Sequence, residues 1–333
     1  MEMNTKKQIE YLLKITDKIG LIEHCKHQQP NYVEGWCVDD NARVLQVCLR
    51  YKDKSLEKSK SIYFAFLESA YRNNNFYDDL NQDLTWKEGF ETGGEHCGRT
   101  LAALGELIKF DKQFGEKAKE LFDQIYILIK NNKYYWTRVI AHTILGLQFY
   151  RNEEIDFWAE KLVEKYLTEK ENNWYWFDPD MTYDNGRLPM SLLIAYEQTN
   201  NKKYLEVAIE SLDFLTNLIL NKDKYFFSFP GNMGWFTKSG NRAEFDQQPI
   251  EAGTMVEVCV LAYKITKNEK YKKLAILAMD WYKGKNILNK SMINKKTGGI
   301  FDGLEKNKVN QNQGAESVLS YLLAAKEIEK LVD

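Results

Sequence analysis

Asp39-Asp40-Asn41-Ala42-Arg43 and, in the second half of the chain, Asp184-Asn185-Gly186-Arg187 share the order Asp-Asn-x-Arg. Each stands where polar, loop-like sequence gives way to a run with apolar residues at helical spacing. Four more segments occupy equivalent places: Gly93-Gly94-Glu95-His96-Cys97-Gly98-Arg99, Trp136-Thr137-Arg138, Gln247-Gln248-Pro249-Ile250-Glu251-Ala252-Gly253 and Asn310-Gln311-Asn312-Gln313-Gly314-Ala315-Glu316. All but the Trp136 segment bring an acid to a helix start.

Outward from these starts, periodicity predicts about twelve helices, at roughly 5–19, 39–52, 55–72, 95–110, 113–131, 135–151, 154–168, 187–199, 201–220, 249–267, 268–284 and 313–331. They differ by parity. The odd members begin plainly and are amphipathic, as in Asn201-Lys202-Lys203-Tyr204-Leu205-Glu206-Val207-Ala208. The even members are more apolar along their length, as in Thr254–Ile265, and each opens with one of the six polar segments. A helix that is apolar all round must be buried, so the even helices belong inside and the odd ones outside. Six such hairpins make a closed ring, an (α/α)6 barrel in the all-α class, running as one domain over residues 1–333. The inner helices then run parallel, and their six N-terminal segments share one mouth. The first and fourth inner helices face each other, which sets Asp40 opposite Asp184.

Composition excludes several functions. Among 333 residues the formal net charge is −2, so no global field draws nucleic acid or an anionic membrane. No run approaches the roughly 20 apolar residues of a membrane span, and the polar Met1–Lys14 segment is no signal peptide. Five cysteines without paired spacing fit a reducing, cytoplasmic setting. Aromatic residues make up 14% of the chain, and Trp36, Trp86, Trp136 and Trp235 are candidate platforms for sugar rings.

The sequence resembles the six-hairpin glycosidase superfamily, which includes glucoamylase-like and unsaturated-glucuronyl hydrolases and the N-acyl-glucosamine and cellobiose epimerases. Gly35-Trp36-Cys37-Val38-Asp39-Asp40-Asn41-Ala42-Arg43, Tyr183-Asp184-Asn185-Gly186-Arg187-Leu188-Pro189 and Asn312-Gln313-Gly314-Ala315-Glu316-Ser317 look like signatures of a bacterial subgroup described as glycosidase-like or glycosyltransferase-associated. The resemblance implies a carbohydrate-active enzyme and, as a partner, a glycosyltransferase.

Hydrolysis of a glycosidic bond needs one protonated and one ionised carboxyl group. Asp40 and Asp184 are the first expected pair, with Glu251 and Glu95 as the competing pair. Opposed helices leave the separation of about 6.5–9.5 Å that an inverting mechanism requires. A capping role is the plain alternative for any acid at a helix start. Asp39, Asn41, Arg43, Arg99, Arg138, Arg187, Trp36, Trp136, His96, Gln248, Gln313 and Glu316 are the expected substrate-binding residues; the arginines could instead lock the motif acids. A sugar epimerase or isomerase would use His96 and His142 as a proton-transferring pair. A non-catalytic accessory protein for a glycosyltransferase would need only the aromatics and arginines. Histidine is scarce and the Cys37, Asp40, His96 and Cys97 spacing matches no zinc pattern, so no metal or cofactor is expected. Cys37 or Cys97, near helix N-termini, would be the thiol nucleophile if there were one.

Overall fold

A computed structural model describes residues 3–88 and 92–331. It contains α1 (Lys6–Lys14), α2 (Val38–Arg50), α3 (Lys54–Ala70), α4 (Glu95–Phe110), α5 (Gly115–Lys130), α6 (Thr137–Leu147), α7 (Ile155–Glu169), α8 (Arg187–Thr199), α9 (Lys202–Ile219), α10 (Pro249–Thr266), α11 (Glu269–Tyr282) and α12 (Ala315–Glu329). The expected first helix stops early, at Lys14. The Asp17 carboxylate accepts the backbone N–H groups of Ile19 and Gly20 (2.8 and 3.1 Å), a local turn that competes with helix.

The six even helices pack in sequence, α2 on α4, α4 on α6, α6 on α8, α8 on α10, α10 on α12, and α12 back on α2. That is the (α/α)6 ring, with α2 and α8 on opposite sides. Parity explains the layers. Ten residues of α6 and thirteen of α10 are buried, whereas α9 buries one stripe that includes Tyr204, Val207, Ala208, Ser211 and Leu212. Among the described residues no helix is long and apolar enough to cross a membrane.

Glycine sets the joint between α4 and α6. A Cβ on Gly105 of α4 would lie 2.4 Å from the Gly146 carbonyl oxygen of α6, and one on Gly146 would lie 2.5 Å from the Leu101 carbonyl oxygen. Backbone faces backbone, so neither side can move aside as a side chain would. Gly105→Ala is therefore expected to destabilise by about 1–3 kcal/mol, the usual range for overpacking, read as a lowered urea midpoint.

Among the described residues strands are confined to two-residue pairs. One matters for the site: Trp36–Cys37 pairs antiparallel with Asp79–Leu80, in the register Cys37 to Asp79. This brings the Asp78-Asp79 doublet beside the start of α2, where Asp39-Asp40 stands.

Candidate active site

Among the described residues, none of the six inner helices is capped by a side chain. Outer helices α3, α9 and α11 are capped, by Asp53, Asn201 and Asn268. The acids at the mouth therefore do not act as N-caps. Asp39, Asp40, Glu95, Asp184 and Glu316 go to arginines instead.

Arg43 Nη1 donates to Asp40 Oδ1 (2.8 Å) and its Nη2 lies 3.2 Å from Glu316 Oε2. Arg99 bonds both Asp39 and Glu95. Glu95 also accepts from Arg138 Nε (3.1 Å) and the Tyr183 hydroxyl (2.8 Å), and the Arg138 guanidinium lies 4.1 Å from the centre of the Tyr183 ring. Arg187 lies 3.4 Å from Asp184 and 3.3 Å from Glu257. The two Asp-Asn-x-Arg segments are thus one device used twice. In each, the arginine reaches back three residues to its aspartate and across to a glutamate on a neighbouring inner helix. The copies differ in backbone: Asp40 lies inside α2, whereas Asp184 precedes α8 with a left-handed φ of 52°.

Above this layer the mouth opens into two lobes. One, of about 520 Å³, is bordered by Glu95, His96, Trp136, Arg138, Asp178 and Tyr183. The other, of about 370 Å³, is bordered by Asp40, Arg43, Asp246, Gln248, Asp302 and Glu316. Asp39 and Asp78 border both lobes. Below, a space of about 20 Å³ touches Arg43, Arg99, His142, Arg187 and Glu257, room for about one water.

The environment pushes these carboxyl groups apart. Burial raises Asp39, but the Arg99 and Arg43 guanidiniums outweigh it and hold the group below its ordinary range. Burial, reinforced by the charges of Asp39 and Asp79, drives Asp78 well above its ordinary value. Burial raises Asp40 to about 6 in spite of Arg43 and raises Glu316 as well. Glu95 resists its burial through Arg99 and Arg138 and stays below the ordinary range. Asp39 Oδ1 and Asp78 Oδ1 are buried atoms with no hydrogen-bond partner among the described residues. A neighbouring acid and base with divergent proton affinities is the arrangement acid–base catalysis needs.

The expected site residues divide accordingly. Asp39, Asp40, Arg43, Glu95, His96, Trp136, Arg138, Gln248 and Glu316 border the lobes. Asp184 and Glu251 do not: both are 1% exposed, so the Asp40–Asp184 pair does not flank the open cleft. Asp184 is turned inward, with its Oδ2 3.2 Å from His142 Nε2. Burial opposes its ionisation, yet Arg187 and His142 hold it far below the ordinary range. His142 in turn is pushed down by burial. Arg99 and Arg187 belong to the layer beneath the lobes. Three others are structural. Asn41 is fully buried and ties Leu21 and Cys37 to α2. Trp36 is 2% exposed and packs edge-on to Tyr32. Gln313 accepts from Thr297 Oγ1 at 2.7 Å. His96 meets the Phe76 carbonyl oxygen at 2.9 Å and borders a lobe, while His142 sits in the layer beneath, so the two histidines do not share the cleft. Cys37 and Cys97 are buried, and burial drives the Cys37 thiol up, opposite to an activated nucleophile. Among the described residues no cluster of potential metal ligands occurs.

Glu251 gives a test of this electrostatic picture. Asn185 Nδ2 donates to its Oε2 (2.9 Å), and burial raises its pKa from 4.5 to about 8. A group raised in the fold favours the protonated form. Its contribution is complete below about pH 4.5 and is lost as pH rises through about 8. Glu251→Gln is expected to flatten the decline in stability across that window, measured by urea unfolding at about pH 5 and pH 8.5.

The fold and the mouth together define a class: (α/α)6 barrels with a polar cleft at the N-terminal ends of the inner helices. No family model and no curated protein matches the sequence. Among solved structures the chain is similar to a D-mannose isomerase, with a TM-score of 0.78, 13% identity, and 98% of this chain and 96% of that one covered. It is also similar to the cellobiose 2-epimerase of Spirochaeta thermophila, with a TM-score of 0.74, 10% identity, and 98% and 94% covered. A third is the GH76A alpha-1,6-mannanase of Salegentibacter, with a TM-score of 0.66, 12% identity, and 98% of each chain covered.

Proposed function

We propose that this protein is a carbohydrate-active enzyme that hydrolyses a glycosidic bond in a small oligosaccharide, with Asp39 and Asp78 as its acid–base pair. The observation that carries this reading is the position of those two carboxyl groups at the junction of the lobes, with opposite shifts in proton affinity. A sugar in each lobe would place the bond between them beside both groups. Asp78, protonated, donates to the leaving oxygen. Asp39, ionised and fixed through Arg99, takes a proton from the attacking water. Glu95, Arg138 and Tyr183 hold Arg99 and one wall of the cleft in place.

Epimerisation or isomerisation of a free sugar is the second reading. It is favoured by the likeness to the isomerase and the epimerase. The two chemistries separate in one experiment. Manno-, gluco- and galacto-configured disaccharides are incubated with the protein in D2O and followed by NMR. Hydrolysis is expected to give new anomeric signals with every carbon-bound proton retained. Epimerisation would instead replace the C2 proton by deuterium and leave the linkage intact. Intact sugars whose signals only broaden would point to the accessory, glycosyltransferase-associated role.

A further inference from the structure

The arginines at a mouth of this kind suggest capture of a phosphate or carboxylate, yet each of them is already committed. Arg43 is held by Asp40 and Glu316, Arg99 by Asp39 and Glu95, and Arg187 by Asp184 and Glu257. Arg138 lies between Glu95 and the face of Tyr183. Lys87 pairs with Asp79 (3.0 Å), and His24 with Glu23 (3.3 Å). The smaller lobe is bordered by eight carboxyl groups against one arginine and one histidine.

Asp246 stands apart within that lobe. It has no hydrogen bond or ion pair from its carboxyl group among the described residues, and its Oδ1 is buried. Gly303 makes room for it, since a Cβ there would lie 2.2 Å from Asp246 Oδ1. The charges of Glu305 and Asp302 act on it in the same sense as its burial. A carboxyl group so placed lacks a positive partner that a ligand can supply.

We infer that the cleft selects its sugar by charge: the smaller lobe seats a ring bearing a protonated amine in preference to a neutral ring, and refuses uronic acids, sugar phosphates and inorganic phosphate. This rests on the cleft being the sugar site and deepens that reading. It also makes water, not phosphate, the acceptor in bond cleavage. Any anion entering the lobe meets like charge without a free cation among the described residues, and like-charge juxtaposition strongly disfavours binding.

The test is a ligand-observed NMR titration of the wild-type protein at low ionic strength and neutral pH. Glucosamine, glucose, glucuronate and glucose 6-phosphate are compared, with mannosamine and mannose as a second matched pair. The expected order is amine over neutral by about five- to tenfold, and neutral over anion by at least about tenfold. Asp246→Asn, close to isosteric, is expected to shrink the amine preference several-fold and leave glucose binding in place. Tighter binding of either anionic sugar, equal binding of amine and neutral sugars, or no binding by any of them overturns the inference. The outcomes for catalysis stay separate. The expected order with no cleavage in the disaccharide experiment would sink the hydrolase reading alone, and cleavage there with a reversed order would sink the charge rule alone.

Discussion

Asp39→Asn lowers kcat by about 10²–10⁴-fold, the usual contribution of a positioned general base, with little change in KM. The variant keeps the shape of the side chain and leaves the amide within reach of Arg99. It removes the anion that accepts the proton of water. Asp78→Asn is expected to lose as much on an unactivated disaccharide, for a different reason: the leaving oxygen goes unprotonated. An aryl glycoside with a good leaving group should therefore restore most of the activity of Asp78→Asn and none of that of Asp39→Asn. If Asp39→Asn keeps more than about a tenth of the activity, the base lies elsewhere. Asp40, whose proton affinity is raised to about 6, is then the next residue to replace.

The largest expected effect on stability comes from Arg187→Met. Arg187 lies between Asp184 and Glu257, whose side chains are only 2% and 4% exposed. Removing one partner of a buried charge set leaves the others uncompensated, at a cost of about 3–5 kcal/mol. Lys203→Met is the control. Its ion pair with Glu160 is 45% and 41% exposed, and such pairs contribute about 0–1 kcal/mol. Urea unfolding of the two variants at one pH compares them. Equal midpoints would mean that Arg187 carries no structural charge balance.

The ring was legible in the sequence because it rests on periodicity and parity. Apolar residues round the whole of α10, against a single stripe on α9, can be read without coordinates. So can the recurrence of Asp-Asn-x-Arg, although its outcome differs from the expectation of two facing catalytic acids. The pairing of Arg43 with Asp40 follows from three-residue spacing on a helix, whereas that of Arg187 with Asp184 is made across the start of α8. What spacing could not reveal is the left-handed turn at Asp184, which accompanies an inward-facing carboxylate. Asp78 was missed for another reason. It lies in a loop, and loops carry no periodicity to argue from. One signal was available: Asp78-Asp79 repeats the doublet Asp39-Asp40, and a short antiparallel pairing sets the two doublets side by side. Asp246 left no such trace, because its position depends on a glycine more than fifty residues away in sequence.

The closure of the ring by α12 against α2 has a consequence for biogenesis. This seam joins the two ends of the chain: Tyr51 Oη donates to the Leu322 carbonyl oxygen (2.8 Å), Tyr11 Oη to that of Gln313 (2.7 Å), and the Met3 N–H to Glu329 (2.9 Å). A ribosome releases α2 long before α12, and domains form from the N-terminus as synthesis proceeds. Until the last hairpin emerges, the flank of α2 that meets α12 has no cover, and the barrel stands as an open arc. The contacts that finish it are those of greatest sequence separation, which form slowly. The nascent arc is thus the species that a chaperone would meet.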